Sequence, residues 1–167
     1  MKRLVLSGLL IVSGLMLYGC DPDTTTPVSY APQESFYRVR TDVIDFDSDA
    51  REIAQAITSR DALDTYINDI EAIYNLTQDT PSFITLTEHY DEAFFENNIL
   101  VLIPLEEPSG AISHFIDDII IESEVLTINI LRSVPSVGTT DMAAWHLIIP
   151  LEVEENAFES IEINTID

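Results

Sequence analysis

The sequence predicts an α+β domain: a mainly antiparallel sheet of five to seven strands, with one main helix and a short second helix. Three observations lead there. Several short segments alternate apolar and polar residues with the two-residue period of a strand. Residues 99–103 are apolar without a break, as in a central strand covered on both faces. From Arg60 onward the apolar residues recur at helical spacing.

Phe36 to Val43 alternates, with Tyr37, Val39, Thr41 and Val43 on one side, and reads as a strand with a polar second face. Asp45 to Asp49 reads as an acidic turn, and Ile53 to Thr58 as a short strand. Ser59 before Arg60-Asp61-Ala62 is a helix N-cap followed by an acid in the first turn. The helix is expected to run from Arg60 to about Asn75, with Leu63, Tyr66, Ile67, Ile70, Ile73 and Tyr74 as its apolar stripe. A polar stretch containing Pro81 follows. His89 to Asn97 fits one or two helical turns that present Tyr90, Phe94 and Phe95 to the core. The apolar strand at 99–103 runs into Pro104 and Pro108, so it should reach a sheet edge there. Ser109-Gly110 marks a turn. Ile112–Ile121 and Val125–Arg132 read as a hairpin, Ser133–Ala144 as a long loop, and Trp145–Val153 as a strand. On that strand Trp145, Leu147, Ile149, Leu151 and Val153 share the core face and His146 lies opposite it. Ile161 and Ile163 suggest a last edge strand.

Composition narrows the function classes. The chain has 167 residues, 46% of them hydrophobic, with 30 Asp+Glu against 7 Lys+Arg and a formal charge of −23. That apolar content suits a packed domain rather than a disordered acidic tail. The charge argues against nucleic acid as a partner, because phosphate binding needs Lys and Arg. The single Cys excludes a disulfide scaffold and a cysteine zinc site.

The first twenty residues set an address. Met1-Lys2-Arg3 is a short basic start, and Leu4 to Leu17 is apolar apart from two Ser and two Gly. This run falls short of the roughly 20 residues of a bilayer span and suits a signal peptide over residues 1–19. Leu17-Tyr18-Gly19-Cys20 resembles the bacterial lipobox, which implies a diacylglyceryl thioether on Cys20 and cleavage just before it. Stable anchoring needs two or more acyl chains, since each buried CH₂ contributes about 0.8 kcal/mol. Residues 20–35 hold Pro22, Pro27 and Pro32 among Thr and Ser and read as a tether; residues 36–167 form the single domain. Lys2 and Arg3 fall within the signal. The exported part then carries about −25 and no Lys, a surface that suits a saline habitat.

Motifs for chemistry are sparse. Asp45, Asp47 and Asp49 have the alternate spacing of a Ca²⁺ loop, but Ala50 stands where an EF-hand needs Gly and Ala56 where it needs Glu. The acidic turn is therefore at most an irregular divalent-cation site, and no other cofactor is expected. His114, Asp141 and His146 could supply a two-His, one-carboxylate metal site for a hydrolase, although no short His spacing enforces it. No G-x-S-x-G elbow is present. Outside the first twenty residues only Gly110 and Gly138 remain, so a phosphate-cradling loop is missing.

Tyr90-Asp91…Phe94-Phe95, Leu105-Glu106-Glu107-Pro108-Ser109-Gly110-Ala111 and Pro135-Ser136-Val137-Gly138-Thr139-Thr140-Asp141-Met142-Ala143-Ala144-Trp145-His146 form a pattern. It resembles a family of poorly characterised exported proteins and lipoproteins, mostly of Gram-positive bacteria. That family is in turn similar to the C-terminal domain of PrcB, a lipoprotein subunit that stabilises a surface protease complex. Ala111, Thr140 and Pro150 depart from the family's usual residues. The resemblance implies no catalytic residue. It implies a lipid-anchored, non-catalytic module at the cell membrane, facing outward, that binds or stabilises another surface protein. Loops on rigid sheets carry binding. The expected contact surface is therefore Ser109, Gly110, Asp141 and His146, around the 133–144 loop.

Overall fold

The computed structural model describes residues 28–30, 36–45, 47, 53–153 and 157–167. The chain forms three layers: a sheet, a second sheet, and a set of short helices. The outer sheet has the order β1-β5-β6-β8 and the central sheet the order β2-β7-β4-β3. The strands are β1 (Val28–Tyr30), β2 (Tyr37–Arg40), β3 (Gln55–Ile57), β4 (Ile99–Glu107), β5 (Ser113–Glu122), β6 (Val125–Ser133), β7 (Ala143–Leu151) and β8 (Ser160–Ile166). All pairings are antiparallel except β6 with β8. The sheet-rich α+β class expected from the sequence holds, but the strands divide between two sheets rather than lying in one.

The central sheet is buried on both faces. Alternate residues of β4 and β7 explain how. Ile99, Val101 and Ile103 with Leu147, Ile149 and Leu151 pack on Ile119, Leu126, Ile128 and Ile130 of the outer sheet. Leu100, Leu102, Ala144 and Ile148 face the opposite way, onto Leu63, Tyr66, Ile70 and Phe83 of the helical layer. A fully buried Leu or Ile contributes about 1.5–3 kcal/mol, so this two-sided strand pair is the fold's main source of stability. His146 therefore does not lie on a polar face. It is 0% exposed, because the face opposite Leu147 is roofed by helices.

Pro104 and Pro150 sit inside this sheet without costing it a ladder bond. β3 pairs with β4 only over Leu100–Leu102, and β2 pairs with β7 only over Trp145–Ile148. Each proline thus lies where its strand has one neighbour, as a residue lacking an N–H requires. The expectation that β4 reaches an edge at Pro104 is met in this local sense.

Helix α1 (Arg60–Ile70) starts where expected, with Ser59 Oγ accepting from Ala62 N at 3.1 Å. It ends earlier than expected. Ile73 N and Tyr74 N both donate to Ile70 O, and Ile73 O is taken by Ile44 N and Asp45 N. The segment around Val43 thereby captures the end of the helical stripe, with Val43 bridging Tyr74. Helix α2 (Phe83–Thr87), capped by Ser82, falls in the stretch read as polar loop, and α3 (Glu92–Phe95), capped by Asp91, is the expected short helix.

The β5–β6 hairpin turns through Ser123 and Glu124, both at positive φ (52° and 65°). Two such residues are what a two-residue turn needs to match strand twist. Glu124 O accepts from Glu159 N at 2.7 Å, which ties the start of β8 to this end. β1 lies within the stretch read as tether: Val28, Ser29 and Tyr30 pair with Ile121, Ile120 and Ile119 along the free edge of β5.

Candidate functional site

The loops at the end of the sandwich opposite the β5–β6 turn converge. Ser109-Gly110 leaves β4 and residues 134–142 lead into β7. Gly110 N donates to Asp141 O at 3.1 Å, and the hydroxyls of Ser109 and Thr139 lie 3.0 Å apart. Arg40, at the end of β2, reaches Asp42 at 2.8 Å and Asp141 at 3.4 Å. The Thr139 hydroxyl, Asp141's own backbone N–H and then the Arg40 guanidinium hold the Asp141 carboxyl below its usual range. Gly110 permits the close approach: a Cβ there would stand 2.9 Å from Asp141 Oδ2 and 3.2 Å from Arg40 Nη1, so those side-chain ends would have to shift. The structure thus brings three predicted surface residues together, Ser109, Gly110 and Asp141.

This loop set displays apolar side chains to solvent. Val137 is 85% exposed, Met142 63% and Val134 56%. Met142 also borders a shallow cavity of about 210 Å³ lined by Asp42, Val43, Glu106, Ala143 and Ala144. An acidic rim with apolar tips suits a protein surface better than a small polar ligand, because exposed apolar groups gain only when a partner covers them.

Just beneath lies a buried polar cluster that the sequence did not reveal. Arg132 grips Glu107 through two nitrogens, at 2.8 Å from Nε to Oε1 and 2.6 Å from Nη2 to Oε2. His114 Nε2 lies 2.7 Å from Glu107 Oε1, and Arg38 Nε donates to His114 Nδ1 at 3.1 Å. Because Nδ1 accepts from Arg38, the ring proton of the neutral imidazole is on Nε2 and points at Glu107. The Arg38 guanidinium stacks 3.2 Å above the Trp145 ring and donates to Ile112 O. Arg132 also meets Asp167 at 2.8 Å. Burial holds Arg38 down at about 10. Burial pushes the Glu107 carboxyl up, but the hydrogen bonds from Arg132 and His114 outweigh it, so it titrates below its usual range. Burial lowers His114, and the cations Arg38 and Arg132 lower it further against the pull of Glu107. With both ring nitrogens and both carboxylate oxygens occupied, the cluster is a strut joining β2, β4, β5 and β6. The one available signal was the hairpin register, which sets His114 opposite Arg132.

His146 is held elsewhere. Its Nδ1 lies 2.9 Å from Thr41 Oγ1 and its Nε2 3.1 Å from the Tyr66 hydroxyl, with Tyr74 and Phe83 edge-on to its ring. Burial depresses it to about 3. His114, Asp141 and His146 are therefore not brought together. His114 points from β5 of the outer sheet inward to Glu107, His146 faces the helices, and Asp141 is on the exposed loop. His146 likewise takes no part in the predicted contact surface, because roofing by the helices removes it from solvent. Asp45 Oδ1 accepts from Asp47 N at 3.0 Å, a turn-forming role, and Asp49 lies outside the described residues. Among the described residues no three His, Cys, Asp or Glu side chains converge as metal ligands. Cys20 also lies outside the described residues.

Comparison with protein families, with proteins of curated function and with solved structures gives no match for this chain.

Proposed function

We propose that this chain is a lipid-anchored extracytoplasmic protein whose domain binds or stabilises another cell-surface protein without catalysis. A surface protease complex is the partner class that the sequence resemblance implies. The observation that carries this reading is the pair Val137 and Met142, exposed on a loop braced by Arg40–Asp141 and Gly110–Asp141. A braced loop binds at less entropic cost than a floppy one. The lipobox-like Leu17-Tyr18-Gly19-Cys20 supports the anchor, and among the described residues no helix is long and apolar enough to cross a membrane. The test is a photo-crosslinking residue at position 137 in living cells, with one at the exposed Glu71 as control. A discrete adduct from 137 alone is expected; no adduct, or the same set from both positions, overturns the reading. Cys20→Ala should move the protein out of the membrane fraction.

A further inference from the structure

We infer that the domain stands with the Ser123–Glu124 turn toward the bilayer and the Ser109–Gly110 and 134–142 loops away from it, facing a partner that projects beyond the membrane surface. The inference rests on the lipid-anchor reading and adds the direction in which the proposed surface points. It is carried by the register of β1. Val28 lies opposite Ile121, two residues from the hairpin turn, and Tyr30 lies opposite Ile119. The chain thus enters the outer sheet at the turn end and runs toward the loop end.

Reach decides the orientation. From Cys20 to Val28 are eight residues, which span at most ~26–29 Å even fully extended. From the level of Ile121 to that of Ser113, β5 itself rises eight residues, or about 27 Å. An inverted domain would spend the whole tether running back along the sandwich. It would still have to clear Ser109–Ile112 and the 134–142 loop. Upright, the same residues give free clearance. Glu122, Glu124 and Glu159 are exposed at the turn end, so an anionic membrane surface repels that end within about 8 Å and sets a clearance rather than a contact.

The experiment uses the full lipidated chain in vesicles with acceptor-labelled headgroups. A donor dye is placed on Ser123→Cys or on Val137→Cys, Cys20 being blocked by its lipid. The expected result is energy transfer several-fold stronger from position 123. Equal or reversed transfer from protein that floats with the vesicles overturns the orientation and leaves the anchor reading standing. Protein that fails to float overturns both. A Gly/Ser insertion after Thr26 that more than doubles the tether should abolish the contrast, and a contrast that survives it overturns the reach argument.

Discussion

His114 donates its only ring proton to Glu107 across the joint between the two sheets, Nε2 to Oε1 at 2.7 Å, while Arg132 grips the same carboxylate. The His114 side chain is fully buried, so it cannot turn to water if the carboxylate is lost. Glu107→Ala should cost about 2–4 kcal/mol, since it strands a buried His and removes the two-point partner of Arg132. Glu107→Gln should cost less, because one oxygen still accepts. Denaturant unfolding of both variants checks the order.

Acid should destabilise the domain well before its net charge is neutralised. His146, held at about 3, and His114, also lowered, bind protons more readily once unfolded. Their stabilisation is complete above the unfolded value near 6.5 and is lost as pH falls toward the folded values. Each such group tilts stability by roughly 1 kcal/mol per pH unit in that window. Glu107, also depressed, acts in the same direction at lower pH. Thermal unfolding should show Tm falling steadily from pH 6.5 to 4, and His146→Phe should flatten that slope. A flat profile in the parent protein would refute the assignment.

Val137→Glu combined with Met142→Glu should leave stability within about 0.5 kcal/mol, as for other exposed positions. The same pair should abolish the crosslink formed from a probe at neighbouring Ser136. Unchanged Tm with undiminished capture would remove the apolar tips from the interface.

Gly110→Ala should displace the Arg40–Asp141 pair rather than unfold the chain, since the atoms it meets are side-chain ends. A cost under about 1 kcal/mol, with weakened partner capture, is the expected outcome. Solution NMR of the Asp141 carboxyl should show its titration rise as the Arg40 contact is lost.

Much of this fold was legible in the residues themselves. β4, the β5–β6 hairpin, β7 and the Ser59 cap follow from periodicity and local chemistry. The division into two sheets did not, because which strands pair is a long-range fact that alternation does not encode. β7 shows why His146 was misplaced. Ala144, His146 and Pro150 dilute the second face, so only the Trp145 face reads as core. Helix α2 is too short to show a period, although Ser82 marks its start. Ser109, Gly110 and Asp141 were named from loop chemistry, and they do meet in the fold. The Glu107 strut was not, because its members come from four strands and meet only after folding.

The pairing of β1 with β5 also sets how the domain carries load. If Cys20 is held in a bilayer and a partner holds the far loops, as proposed, tension would run along the strands rather than across them. Antiparallel hydrogen bonds lie perpendicular to the strand axis, so those joining Val28–Tyr30 to Ile119–Ile121 would resist together, in shear, instead of opening one at a time. A three-residue strand is a small clasp by area, yet it is placed where a pulled chain is hardest to peel.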